Sequence, residues 1–319
     1  MKVAVINKYG SLNKGQHMFF ARSRLGMDLF ASIREFRLKA KQKGIVVFSP
    51  ENFLSAAGAD VIIFLDFPSG DTVEFAELIA THPKTILLET ELPAWIGSSI
   101  NYSGFDLVLS YRPPEKGLAK KWEDYRGYSV DMASRDMLSA QSLVDRTPGF
   151  SMLATNHQSE FPGELYSFRR GFAKYMLAEF PAEFSLAGFG WDKDGLPSIG
   201  PVEDKAQFIK QRQFNVCTEN CHEVPGFVTE KLLEAIHCGS VPIYFSTGHA
   251  EGIVPEAVYV NADQFNSISD LVRFCREMSD EEKLDICSAG VEWLSGESGR
   301  KFTPEFQAEQ LIQAVVRLI

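Results

Sequence analysis

The sequence predicts an α/β protein made of two parallel-sheet units, and three observations predict it. Short, continuous apolar runs recur along the 319 residues at 3–6, 45–48, 61–65, 85–89 and 107–110, and again at 151–155, 185–188, 214–217, 241–245 and 258–261. Helical or loop segments separate the runs, and uninterrupted apolar strands between helices imply sheets covered on both faces. The rhythm breaks once, at 111–128, where Pro113, Pro114 and many charges stand. Each half is therefore expected to be Rossmann-like.

In the first half, a loop with Gly10 and Gly15 follows the opening run, and a helix is expected over 19–41. In the second, helices are expected over 164–178, with Leu165, Phe168, Phe172 and Tyr175 inward, and over 267–277 and 280–294. A last helix is expected over 304–319. Thr147-Pro148-Gly149 marks the boundary, giving units 1–147 and 148–303 and a terminal helix 304–319 expected to pack back toward the first unit.

Composition narrows the function. Apolar residues make up 45%, enough for two cores, and 32 Lys plus Arg stand against 42 Asp plus Glu. A formal charge of −10 argues against general affinity for nucleic acid or anionic membrane, yet allows a local cationic pocket. Five cysteines at 217, 221, 238, 275 and 287 form no zinc spacing and read as free thiols, which fits a reducing compartment. No apolar run approaches a membrane span and no signal peptide opens the chain, so a cytoplasmic enzyme is expected.

The most informative stretch is 214–246, FNVCTENCHEVPGFVTEKLLEAIHCGSVPIYFS. It reads as strand, polar loop, helix, glycine stop, strand. Thr229 is placed to cap the helix, Leu232, Leu233, Ala235 and Ile236 give it an apolar face, and Gly239 ends it. Glu230 and Lys231 then stand in the first turn, where unpaired N–H groups and the helix dipole favour an anion such as a diphosphate.

This stretch resembles the donor-binding motif of the α-1,3-fucosyltransferases, glycosyltransferase family ten, through Phe214, Asn215, Glu219, Asn220, Phe227, Thr229, Glu230, Lys231, Leu232, Val241 and Pro242. The resemblance implies the GT-B architecture, two Rossmann-like domains facing across a cleft, and an inverting transfer of a sugar onto a hydroxyl of a glycan. The implied donor is GDP-fucose, with no metal and no further cofactor. Glu89-Thr90-Glu91-Leu92-Pro93 looks like the family segment that supplies a general base, which points to Glu89 ahead of Glu91. Arg169, in Phe168-Arg169-Arg170-Gly171-Phe172, and Lys231 are implied on the diphosphate. Glu219, Asn220, Phe227, Thr229 and Glu230 complete the implied donor pocket.

The chain departs from the family pattern at several places. Lys193 stands where the family has arginine, and a point charge replaces a bidentate fork. Phe227 replaces tyrosine, Cys221 replaces Ser or Thr, and the loop 219–227 is one residue longer. A lost hydroxyl changes which sugar a site accepts, so another nucleotide-sugar or an unusual polymer acceptor is the alternative, and a non-catalytic nucleotide-sugar-binding module the third. The basic stretches 34–43 and 116–121 read as solvated helix faces.

Overall fold

The computed structural model describes residues 1–20, 30–92, 101–114, 121–130, 143, 145–222, 224–245 and 248–319. Pro93, Glu223, Ser246, residues 116–120 of the second basic stretch and residues 21–29 of the helix expected over 19–41 lie outside them. The strands are β1 (Lys2–Asn7), β2 (Val46–Phe48), β3 (Val61–Leu65), β4 (Thr85–Glu89), β5 (Leu107–Ser110), β6 (Trp122–Asp124), β7 (Thr147–Leu153), β8 (Phe184–Ala187), β9 (Arg212–Val216), β10 (Val241–Tyr244) and β11 (Val260–Asn261). The longer helices are α1 (Ala31–Gln42), α2 (Tyr166–Glu179), α3 (Glu230–His237), α4 (Ile268–Glu277), α5 (Asp280–Ser295) and α6 (Pro304–Arg317).

The chain divides into two compact units. The first carries a six-stranded parallel sheet in the order β2-β1-β3-β4-β5-β6. Alternate residues of each strand serve opposite faces. Val3, Val5, Ile63, Leu65, Ile86 and Leu88 pack with Phe36 of α1 and with Leu311, Ile312 and Val315 of α6. Ala4, Ile6, Ile62, Phe64, Leu87 and Val108 pack on the other face with Phe75, Leu78, Tyr102 and Phe105. The last helix belongs to this unit: Leu311 and Val315 are fully buried, each such side chain stabilising by roughly 1.5–3 kcal/mol. Ser32 and Lys39 of α1 reach Gln307 and Glu309 of α6 at 2.5 and 2.9 Å. Within the 34–43 stretch, Arg37 covers the Phe19 ring at 4.4 Å and Lys39 is paired, so these two cations are held against the unit's own residues.

The second unit carries a five-stranded parallel sheet in the order β11-β10-β9-β7-β8. Its core joins Phe150, Met152, Phe214, Val216, Val241 and Ile243 to Phe172 and Met176 of α2 and to Leu271 and Cys275 of α4. Thr147, Pro148 and Gly149 are the first residues of β7, with a register irregularity between Thr147 and Phe150. They therefore stand inside the second unit, and the division falls ahead of them. β6 is the other departure: the charged stretch that breaks the apolar rhythm still adds an edge strand, anchored by the Trp122 indole N–H donating to the Arg112 carbonyl at 2.8 Å.

In both sheets the strand order reverses between neighbours, at β1/β3 in the first and β7/β9 in the second. The carboxyl ends of parallel strands at such a reversal are where open α/β sheets take ligands. All five cysteines are free thiols and four of them are buried. Among the described residues no helix is long and apolar enough to cross a membrane.

Candidate active site

Each unit places a polar cluster at the carboxyl edge of its sheet. In the second unit the cluster begins where β9 ends. The loop that follows carries Thr218, Glu219 and Asn220, and α3 starts at Glu230. Thr229 is extended (φ −104°, ψ −176°) and its Oγ1 accepts from the Lys231 N–H at 3.4 Å, the expected cap. At the other end Gly239 takes φ +63°, the left-handed stop that a glycine adopts without strain.

Glu219 organises this start. Its carboxylate is fully buried and accepts from the Thr229 N–H at 2.8 Å, the Thr229 hydroxyl at 2.7 Å and the Tyr244 hydroxyl at 3.0 Å. The Lys231 ammonium lies 3.6 Å away. Glu219 thus holds the site from behind, through Thr229, Tyr244 and Lys231, whereas the resemblance placed it among donor contacts. Tyr244 was not singled out in the sequence; its signal is a tyrosine ending a buried strand, whose hydroxyl needs a partner. Phe227 is buried too, a packing residue on the approach to the cap.

Lys231 and Glu230 form the partly exposed part. Nζ of Lys231 lies 3.4 Å from Glu230 Oε1 and 3.1 Å from Thr229 Oγ1, and its side chain keeps about a quarter of its surface in water. Burial alone pushes the Glu230 carboxyl up, but Lys231, and after it Lys205, outweigh that and hold it below the usual range. Burial would likewise lower Lys231, but Glu230 and Glu219 raise its ammonium above the ordinary lysine value. Both groups are therefore charged near neutrality.

Arg169, on the first turn of α2, is the second cation. Its Nε donates to Thr218 Oγ1 at 3.0 Å, and Nη2 donates to the carbonyls of Thr218 and Glu219 at 2.6 and 2.7 Å and to Asn220 Oδ1 at 3.1 Å. Two nitrogens thus brace the loop that carries Glu219, while Nη1 has no hydrogen-bond partner among the described residues. Asn220 serves as acceptor in that brace. The neighbouring Arg170 points elsewhere, to the His157 carbonyl.

Lys193 stands apart, exposed on a short turn, Trp191–Asp194, that leaves the same edge after β8. The turn is rigid. Gly188 has φ +118° and a Cβ there would meet the Ala154 carbonyl at 2.0 Å, so only glycine fits. The Trp191 indole donates to that same carbonyl at 2.8 Å. Nothing joins Lys193 by a hydrogen bond or ion pair to the Arg169–Glu219–Lys231 group.

In the first unit the two carboxylates predicted at the end of β4 have different surroundings. Glu89 and Ser110 are partners in register at the ends of β4 and β5. The Glu89 carboxylate is fully buried and accepts from the Tyr102 hydroxyl at 2.6 Å, the Ser110 hydroxyl at 2.5 Å, and Arg112 Nη2 and Nε at 2.7 and 3.2 Å. The side chain of Glu91 is 28% exposed, with Lys8 Nζ 3.4 Å from Oε1. Tyr111, beside the Glu89–Arg112 pair, has its phenol pushed up by burial and by Glu89. Asp66, unflagged in the sequence, caps β3 beside them.

Residues 189–285, which hold Lys193, the Glu219–Lys231 loop and α3, match the family model described as glycosyltransferase family 10 (fucosyltransferase) C-term. Over 123 residues the chain is 28% identical to the alpha-(1,3)-fucosyltransferase FucT of Helicobacter pylori, covering 34% of this chain and 24% of that protein, so the match spans about a quarter of the relative's length. Among solved structures, an α1,3-fucosyltransferase with GDP-fucose is similar with a TM-score of 0.61 at 15% identity, over 100% of this chain and 90% of that one. Anabaena Alr3699/HepE in complex with UDP-glucose is similar with a TM-score of 0.61 at 12% identity, over 99% and 100%. The fold is the one these solved structures share, the GT-B architecture, and the segment that builds the helix-start site matches the glycosyltransferase family 10 model.

Proposed function

We propose that the chain is an inverting glycosyltransferase that moves L-fucose from GDP-fucose onto a hydroxyl of a glycan. The observation that carries this reading is the start of α3, where the Lys231 ammonium stands in the first helical turn, braced by buried Glu219, inside the segment that matches family 10. The FucT relative and the structure bound to GDP-fucose support the choice of donor.

The residues divide the work as follows. The diphosphate sits at the helix start, where Lys231 and Nη1 of Arg169, unbonded among the described residues, take up the charge that grows as the anomeric C–O bond breaks. Glu230 accepts from a donor hydroxyl. The acceptor oxygen forms the new bond to the anomeric carbon as a carboxylate takes its proton. Resemblance points to Glu89 for that role, but its four donors and full burial leave no lone pair open to an incoming hydroxyl. Glu91 is the carboxylate a hydroxyl can reach, and we assign the base to it. Glu89 then anchors Arg112, Tyr102 and Ser110 beneath.

A second reading keeps the chemistry and changes the nucleotide-sugar. The buried, hydroxyl-free ring of Phe227 and the likeness to a UDP-glucose complex favour it. Thermal unfolding with GDP, GDP-fucose, UDP and UDP-glucose separates the two. A ligand at about 100 times its dissociation constant adds about 2.7 kcal/mol. Stabilisation by the guanosine pair alone supports the fucosyl donor, and by the uridine pair the alternative. Stabilisation by none removes the site, and binding with no turnover leaves a non-catalytic module.

A further inference from the structure

At the carboxyl edge of the first sheet, β1, β3 and β4 end side by side, and the residues just beyond them meet. Asn7 and Leu65 are register partners, the Lys8 N–H donates to the Leu65 carbonyl at 3.3 Å, and the Asp66 N–H donates to the Leu88 carbonyl at 2.9 Å. This is the point where the strand order reverses. Asp66 there adopts φ +60°, a left-handed conformation that a side chain other than glycine rarely takes. Such backbone outliers persist where the surroundings over-determine them, and they cluster at functional sites.

The strained turn aims the Asp66 carboxylate at the two residues after β4. Oδ1 accepts from the Thr90 N–H at 2.7 Å and from the Glu91 N–H at 2.9 Å, and Oδ2 accepts from the Thr90 hydroxyl at 2.7 Å. On the far side the Tyr111 hydroxyl donates to the Glu91 carbonyl at 3.0 Å. Gly127 lies against Thr90 so closely that a Cβ would meet its Cα at 3.0 Å. The backbone of Glu91 is thus fixed at both its N–H and its carbonyl by the side chains that immediately follow β3 and β5. Its own side chain is left partly in water with Lys8 beside it; the same ammonium lies 4.0 Å from Asp66. Asp66 is itself buried, and that burial raises its carboxyl above the ordinary aspartate range even against Lys8 and the three bonds. A buried, desolvated carboxylate is a costly way to hold an ordinary loop.

We infer that Asp66 is a positioning residue for Glu91: its carboxylate sets the Thr90–Glu91 peptide so that the Glu91 side chain is held ready to take the proton of the acceptor hydroxyl. This rests on the reading of Glu91 as the base. Displacements of about 1 Å in such a group cost on the order of a hundredfold in rate, so loss of Asp66 acts on turnover and spares donor binding.

The test uses the full chain with GDP-fucose as donor and water as acceptor, read as GDP release. Asp66→Gly removes the carboxylate in a residue that suits φ +60°; Asp66→Asn keeps an oxygen for the two N–H groups. The expected result is a kcat fall of roughly tenfold to a hundredfold in Asp66→Gly, with KM for GDP-fucose and the affinity for GDP unchanged, and most of the rate restored in Asp66→Asn. In a Glu91→Gln background Asp66→Gly should lower kcat no further, because residues acting as a unit are not additive. Parental kcat in Asp66→Gly, or the same factor added on top of Glu91→Gln, overturns the inference while leaving the base in place. Full activity in Glu91→Gln alone overturns the base reading and the inference with it.

Discussion

The ammonium of Lys231 lies 3.6 Å from the buried carboxylate of Glu219, and both meet at the hydroxyl of Thr229. One fully buried acid therefore fixes the helix cap, the strand-end tyrosine and the partly exposed lysine together. The cationic end of the site is pre-ordered before any ligand arrives, which lowers the cost of ordering on binding.

Glu219→Gln should accordingly cost stability as well as affinity. An amide cannot accept from the Thr229 N–H, the Thr229 hydroxyl and Tyr244 at once while facing Lys231. Removing a buried charged partner of this kind costs about 3–5 kcal/mol. A denaturant midpoint checks this: a shift worth less than about 1 kcal/mol would mean that the carboxylate does not hold the site.

The two carboxylates after β4 should separate cleanly. Glu89→Gln leaves Arg112 facing a neutral amide in a buried pocket, so the expected outcome is a loss of about 3–5 kcal/mol. Glu91→Gln, partly exposed, should leave the melting temperature within a few degrees and GDP affinity intact, yet cut kcat at least a hundredfold. The reverse pattern, with Glu91→Gln active and Glu89→Gln stable but inactive, would return the base to Glu89.

Glu234, on the inner side of α3, gives a pH signature. Burial pushes its carboxyl up from 4.5 to about 7, against the pull of Lys205 3.1 Å away. The folded chain then holds a proton that the unfolded chain releases, so stability falls as pH rises through that interval and levels above it. Glu234→Gln removes the titration. Its melting temperature should change less than the parent's between about pH 5 and about pH 8; an equal change in both would assign the dependence elsewhere.

Turnover should not depend on a divalent cation, because Lys231, Arg169 and the helix start supply the positive charge at the diphosphate. Dialysis against EDTA should leave GDP release from GDP-fucose unchanged. A loss restored by Mg²⁺ or Mn²⁺ would place a metal in the site.

Much of the fold can be read from the chain because a strand covered on both faces must be apolar throughout, as at 61–65 and 85–89. The helix at Glu230 is legible for a local reason: cap, apolar face and glycine stop all lie within a dozen residues. What is not legible depends on distance along the chain. The sequence shows that Glu219 is acidic; that it faces Tyr244 and Thr229 depends on how β9, β10 and α3 come together. The pairing of Glu89 with Arg112 and of Asp66 with Thr90 likewise joins residues 23 and 24 positions apart. β6 escapes detection because a three-residue edge strand with one buried residue has no apolar run to show. Asp66 and Lys8 could have been flagged: each is the first charged residue after a buried strand, at the edge where parallel sheets take ligands.

The most direct test is a calorimetric titration of GDP into the parent protein and into Lys231→Ala. Saturable binding by the parent, weakened at least tenfold in the variant with folding intact, is the expected result. Binding of equal strength in both, or none in either, would contradict a nucleotide-diphosphate site at the start of α3.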